Sequence, residues 1–91
     1  MSTFGIEPPS DWLEFDAAAI TSGIDLETAG AIEGPAKIIR VITAGAGQLD
    51  VMISGAGVTV RSLTVADDEE FLGFFTSVRG TSTATRIRVG W

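Results

Sequence analysis

Two identical glycine triplets, ten residues apart, constrain this chain more than any other feature. Gly45-Ala46-Gly47 and Gly55-Ala56-Gly57 each lead into a run in which apolar and polar side chains alternate. A period of two is typical of a β-strand with one buried face, and glycine supplies the positive φ angles that tight hairpin turns require. The pattern predicts two turns of an antiparallel sheet, followed by strands over residues 48–53 and 58–65.

A phosphate-binding loop is the other structure that such triplets could form. A P-loop requires a lysine directly after its glycines, and a dinucleotide-binding loop runs into a helix. The only lysine is Lys37, which precedes both triplets, and strand-like alternation follows them. The triplets are therefore interpreted as turns, and no cofactor is expected.

Other segments predict further short strands. Lys37–Thr43 is rich in β-branched residues and apolar on both faces, which indicates a central buried strand. Strands are also expected over 71–78 and 85–89, with a weaker one over 16–21. Residues 22–36 are predicted to form a loop, and a short helical turn near 26–32 stays open as an alternative. Short strands at this spacing predict an all-β fold. We expect a single small β-sandwich or barrel-like domain over residues 16–91, with six to seven antiparallel strands.

Residues 1–15 are predicted to form an extended N-terminal arm. Pro8 and Pro9 favour extended chain, although Ser10 could cap one helical turn over residues 11–15. The arm carries five large apolar side chains, and they require a surface to cover them. That surface is either the domain's own sheet or a neighbouring subunit, and both alternatives stay open here. The five residues are Phe4, Ile6, Trp12, Leu13 and Phe15.

Charge and hydropathy indicate which partners to expect. Residues 1–36 contain seven acids and no base, a net −7, whereas residues 37–91 contain five acids and six bases, a net +1. Nucleic-acid binding needs clustered Lys and Arg, so it is not expected. There is no apolar run long enough to span a membrane and no signal segment. The apolar fraction of 45% in a small acidic chain favours burial of apolar surface against a partner, and a modest core favours a homo-oligomer.

The residue types present argue against catalysis. The chain contains no His, Cys, Tyr or Asn, which removes the commonest general base, the thiol nucleophile and most transition-metal ligands. The acidic run Asp67–Glu70 lacks the spaced ligand pattern of a calcium loop, and adjacent carboxylates in a turn point in different directions. We expect a solvated turn there, no metal, no catalytic residues and a protein that is not an enzyme.

Phenylalanines and a terminal tryptophan provide the remaining candidates for contact. Alternation cannot place Phe74 and Phe75 on one face without a bulge, which Gly73 would permit. One ring is therefore expected in the core and the other at an interface or, alternatively, under a bound sugar. In the terminal strand, Ile87, Val89 and Trp91 alternate with Arg86 and Arg88, as expected for a half-buried strand.

The order of these motifs resembles a known family. Ala18-Ala19-Ile20-Thr21 is followed by KIIRVITAGAGQLDV, a second hairpin, a strand preceded by an acidic turn, and a threonine-rich turn after Val78 that leads to a strand ending at Trp91. Over residues 16–91 this is similar to the small head spike base proteins of gene transfer agents and related tailed phages. Asp67–Glu70 departs from the Pro/Gly turn expected there for the family.

The resemblance implies a non-enzymatic virion structural protein on the exterior of a tailed-phage-type capsid, acting as spike base or decoration protein. It further implies a ring-shaped homo-oligomer, a pentamer or trimer, with the major capsid protein and a fibre or spike protein as partners. Two alternatives stay open: a module that binds host surface glycan, and a tail or head–tail connection protein. We expect partner or subunit contacts from Phe4, Ile6, Pro8, Pro9, Trp12, Leu13, Phe15, Phe74, Phe75 and Trp91.

Overall fold

A computed structural model describes residues 11–30, 34–55 and 59–91. Within these ranges the chain forms seven strands and two short helices, and all strand pairs are antiparallel, which confirms the all-β prediction. The elements are β1 (Trp12–Asp16), α1 (Ala17–Ser22), β2 (Ile24–Asp25), α2 (Leu26–Ala29), β3 (Ala36–Thr43), β4 (Gln48–Ile53), β5 (Val60–Thr64), β6 (Glu70–Val78) and β7 (Arg86–Gly90). The predictions for Phe4, Ile6, Pro8, Pro9 and Ser10 lie outside the described residues.

The strands belong to one sheet in the order β1-β7-β3-β6-β4-β5, with β2 also paired to β6. The predicted central position of β3 is confirmed, since it lies between β7 and β6. The register shifts at three places: between Ala36 and Ile38, between Val41 and Thr43, and between Met52 and Ile53. Such irregularities bend a sheet and increase its twist, so a single sheet can curve around its own core.

The first described strand corrects the prediction for the arm. Residues 12–16 pair with β7 in continuous register, from Trp12 opposite Gly90 to Asp16 opposite Arg86. They form neither a helical turn nor a separate arm, because Leu13 and Phe15 alternate with polar neighbours and pack against the core. The domain therefore includes residues 12–15, and these residues pack on their own sheet.

The strand predicted over residues 16–21 is wrong, because these residues form helix α1. The Asp16 side chain caps the helix by accepting a hydrogen bond from the Ala19 N–H at 3.0 Å. Three alanines follow this cap, and alanine has the highest helix propensity. Within the predicted loop over 22–36, the alternative of a helical turn is the one observed, as α2, which Asp25 caps through the Glu27 N–H.

The glycine turns are confirmed where they are described. Gly45, Gly47 and Gly55 have φ angles of 59°, 89° and 84°, in the region that favours glycine. A Cβ at Gly45 would also lie 2.3 Å from the Thr83 carbonyl oxygen. Glycine is thus required at position 45 for the turn and for its close contact with the loop that precedes β7.

The core lies on one face of the curved sheet. Its central strands contribute fully buried side chains, and α1 and α2 add Ile20 and Leu26. Phe75 and Trp91 are also buried, and the Trp91 Nε1–H donates to the Leu26 carbonyl at 2.7 Å. Their predicted role in partner contacts is therefore corrected: both are core residues. No helix in the described ranges is long and apolar enough to cross a membrane.

Candidate functional site

The side of β1, β7, β3 and β6 that points away from the core is here called the outer face. The pairing registers align side chains of this face in rows that cross all four strands. One row is mainly apolar, and the adjacent row is charged. The apolar row contains Trp12, Gly90, Ile38 and Leu72, and the charged row contains Glu14, Arg88, Arg40 and Glu70.

The outer face exposes large apolar side chains at β6. Leu72 is 64% exposed and Phe74 is 62% exposed, and they lie two residues apart on the same strand. Ile38 neighbours Leu72 across the β3–β6 pair and is buried, although it is not part of the core cluster. Contiguous exposed apolar surface of this kind marks interaction sites more often than isolated exposed residues do.

Three of the six basic residues lie on the same face. Arg40 forms ion pairs with Glu70 at 3.4 Å and with Asp68 at 3.7 Å, and Arg86 pairs with Glu14. Exposed ion pairs of this kind contribute about 0–1 kcal/mol each to the free energy of unfolding. Arg40 and Arg86 can therefore exchange these carboxylates for acidic groups of a binding partner at low energetic cost. The outer face can therefore receive both apolar and acidic groups.

Arg88 differs from the other two arginines. Its guanidinium lies 5.3 Å from the centroid of the Trp12 ring, a favourable cation–π distance. Among the described residues, no carboxylate oxygen lies within 4.0 Å of it. Trp and Arg are the residue types that most often dominate the binding energy of protein interfaces.

A second polar cluster surrounds Asp50, a buried acid in β4. Its carboxylate accepts hydrogen bonds from Ser62 Oγ at 2.6 Å, Thr81 Oγ1 at 2.5 Å, and Gln48 Nε2 at 2.9 and 3.0 Å. The bonds from Ser62 and Thr81 lower the pKa of Asp50, burial opposes them, and the bond from Gln48 lowers it further. Its N–H also donates to Ser82 Oγ at 2.8 Å. Asp50 thus joins β4, β5 and the loop after β6, and its occupied oxygens give it an anchoring role.

The acidic turn before β6 is also held by hydrogen bonds. Asp67 accepts from the Ala44 N–H, and Glu69 accepts from the Ala66 N–H, both at 2.7 Å. Asp68 has a φ of 66°. In the described part of the chain, no group of three or more His, Cys, Asp or Glu residues could hold a metal ion. These carboxylates cap main-chain groups of the turn and of the hairpin that begins at Ala44.

A shallow cleft of about 360 Å³ lies between β2 and the end of β6. Its lining includes Asp25, Arg79 and Ser77, and the buried Ser77 Oγ has no hydrogen-bond partner among the described residues. The lining contains no aromatic ring, whereas small-molecule sites are mostly apolar and often aromatic. The outer face is therefore the stronger candidate for binding.

The structure separates the predicted contact residues into two groups. Trp12 and Phe74 lie on the outer face, while Leu13 and Phe15 lie half-buried on the core side of β1. Sequence reasoning missed Ile38, Leu72 and the three arginines as parts of one surface. The alternation of Arg86 and Arg88 with buried residues indicated that both arginines face solvent. Their neighbours on adjacent strands could not be predicted, because they depend on the strand order.

Comparisons of the chain with protein-family models, curated proteins and solved structures find no match. The fold and the site together define a small all-β domain with an exposed face of aromatic, aliphatic and arginine side chains.

Proposed function

We propose that this chain is a non-enzymatic virion structural protein that attaches to the exterior of a tailed-phage-type capsid as a spike base or decoration protein. The proposal includes self-association into a pentamer or trimer, with the major capsid protein as partner. The observation that carries it is the outer face, where exposed Leu72 and Phe74 on β6 lie on the same side of the sheet as the Trp12–Arg88 pair on β1 and β7. The capsid context comes from the resemblance in the order of motifs over residues 16–91.

The outer face has the physical character of a protein-docking surface. Its apolar side chains project from paired strands rather than from loops, so little ordering is needed on binding. Its arginines can meet acidic groups of a partner, while the flanking Glu14 and Glu70 limit the partners that fit. Such a face suits attachment to a large, repetitive protein surface.

The test is binding to capsids assembled from the major capsid protein of the phage or gene transfer agent that encodes the chain. The double variant Leu72→Ser/Phe74→Ser is expected to weaken the affinity for capsids, measured by cosedimentation, by about 100-fold or more. Burial of each side chain contributes about 1.5–3 kcal/mol, and about 1.4 kcal/mol is a factor of ten in affinity. Both residues are exposed, so the melting temperature should stay within a few degrees of that of the wild type.

Glu27→Ser is the control, since Glu27 is an exposed residue of α2 and lies outside both the outer face and β5. It should bind capsids like the wild type. Equal cosedimentation of the wild type and the double variant would contradict attachment through the outer face. Absence of wild-type binding to capsids would contradict the proposed function itself.

The exposed Phe74 ring favours one second candidate, a carbohydrate-binding module. Phe75 no longer contributes to it because that ring is buried. Stacking against one ring contributes on the order of 1 kcal/mol, so Phe74→Ala should weaken glycan binding by about fivefold and leave the fold intact. A glycan array on which the wild-type protein binds nothing would exclude this candidate.

A further inference from the structure

The two ends of the sheet are both open strand edges in the described chain. β1 pairs only with β7 and β5 pairs only with β4 among the described strands, so each has one side without a strand partner. Each edge strand is five residues long and contains no proline. An edge of this kind presents unpaired N–H and C=O groups that can template pairing with another chain.

The hydrogen bonds next to each edge show which main-chain groups point outward. The Trp91 N–H donates to the Asp11 carbonyl at 2.9 Å, and inward and outward residues alternate along an antiparallel strand. The outward groups of β1 therefore belong to Trp12, Glu14 and Asp16. At the other edge, the Val65 N–H donates to the Gly47 carbonyl at 2.9 Å, so the outward groups of β5 belong to Val60, Ser62 and Thr64.

We propose that β1 of one copy pairs antiparallel with β5 of a second copy, with Glu14 opposite Ser62. The inference rests on the oligomeric part of the proposed function and assigns the surface that forms the oligomer. The contact is heterologous, because each copy uses its β1 edge to bind one neighbour and its β5 edge to bind another. Repetition of such a contact builds a ring if the rotation closes.

The side chains of the two edges match in this pairing. Ser62 bonds the Asp50 carboxylate, whereas Leu63 packs against the core cluster. The residues with outward main-chain groups therefore have side chains directed away from the core on both strands. Pairing would continue the sheet across two copies and place Leu13 of one copy beside Leu63 of the other. Both are only half-buried in the single chain.

Charge favours this contact over pairing of identical edges. The β1 strand carries Glu14 and Asp16, a net −2, whereas β5 carries Arg61 and no acid, a net +1. Two β1 edges would bring four carboxylates together, and like charges at strand pairs are destabilising. A β1 edge beside a β5 edge brings opposite net charges together.

Thr64→Pro tests the edge directly. The Thr64 N–H points outward, so proline removes no β4–β5 hydrogen bond, and edge strands tolerate proline at such positions. In sedimentation velocity from about 10 μM to 1 mM, the wild type should form oligomers and Thr64→Pro should sediment as a 9.5 kDa monomer. Thr64→Ala, which keeps the N–H, should assemble like the wild type. A monomeric wild type at 1 mM, or equal assembly of the proline variant, would overturn the proposal.

Engineered cysteines identify which edges meet, because the chain has no cysteine of its own. Trp12→Cys and Thr64→Cys should form a disulfide-linked dimer when the two single variants are mixed under mild oxidation. Neither variant alone should form more than a trace. Efficient dimerisation of Thr64→Cys alone would indicate β5–β5 pairing and overturn the heterologous contact. Both experiments use the chain without capsids, so their failure is distinct from failure of capsid attachment through the outer face.

Discussion

Replacement of Trp91 by alanine is expected to lower the free energy of unfolding by about 3–5 kcal/mol. Trp91 is the largest of the fully buried side chains. Its ring contacts Gly30 so closely that a Cβ at that position would lie 2.8 Å from Trp91 Cδ2. The alanine variant would leave a cavity between the sheet and α2. Urea denaturation followed by circular dichroism measures the change without depending on Trp91 fluorescence.

Trp91→Phe separates ring packing from the hydrogen bond. Phenylalanine keeps much of the buried surface but lacks the Nε1–H that reaches the Leu26 carbonyl. An unsatisfied buried acceptor costs about 1–3 kcal/mol, so this variant should fall between the wild type and Trp91→Ala. A loss below about 1 kcal/mol for Trp91→Ala, far under the usual core range, would contradict the placement of Trp91 in the core.

Replacement of Asp50 by asparagine should produce the second largest loss, about 2–4 kcal/mol. Hydrogen bonds to a charged group contribute about 1.5–3 kcal/mol each, and the amide would direct N–H groups at hydroxyl donors from Ser62 and Thr81. The β5 strand and the loop after β6 should both lose hydrogen-exchange protection. Asp68→Asn is the matched control, because that carboxylate is exposed and should cost less than about 1 kcal/mol.

The same carboxylate should make stability depend on pH. The pKa of Asp50 is lowered in the folded chain, whereas an unfolded aspartate titrates near about 3.9. Its stabilisation is therefore present above the unfolded pKa and is lost as pH falls through the folded pKa. Between neutral pH and about pH 3, the stability difference between the wild type and Asp50→Asn should shrink. A constant difference over this range would contradict a lowered pKa.

Local sequence patterns predicted the strands in the middle of the chain, whereas the structure of residues 12–15 depends on pairing with a distant strand. The strand after the Gly45 turn follows from period-two alternation, as does the separation of Phe74 from Phe75. The strand before that turn follows from β-branched residues that are apolar on both faces. Residues 12–15 were assigned to an arm because nearby prolines favour extended chain, and their partner strand lies more than 70 residues away. In α1, the Asp16 cap and three alanines produce a helix where a weak strand was predicted.

The candidate site also depends on pairing between strands that are distant in the sequence. Trp12, Arg88 and Phe74 were each visible as unusual residues in the sequence. Their common surface depends on the order β1-β7-β3-β6, which combines the first, last and middle parts of the described chain. Asp50 was missed because an acid among strand residues resembles a solvent-facing position until the threonine-rich turn is folded over it.

The position of β7 between β1 and β3 also has a kinetic consequence. The first described strand has only the last one as its lateral partner, so β1 cannot pair until the chain closes a loop of some 70 residues. The conformational entropy of a long loop is lost before the contacts between its ends can stabilise the fold. Folds dominated by such distant contacts therefore fold in about milliseconds to seconds. Until that closure, β7 has an unpaired side that could engage another chain. The refolding yield should therefore fall as protein concentration rises.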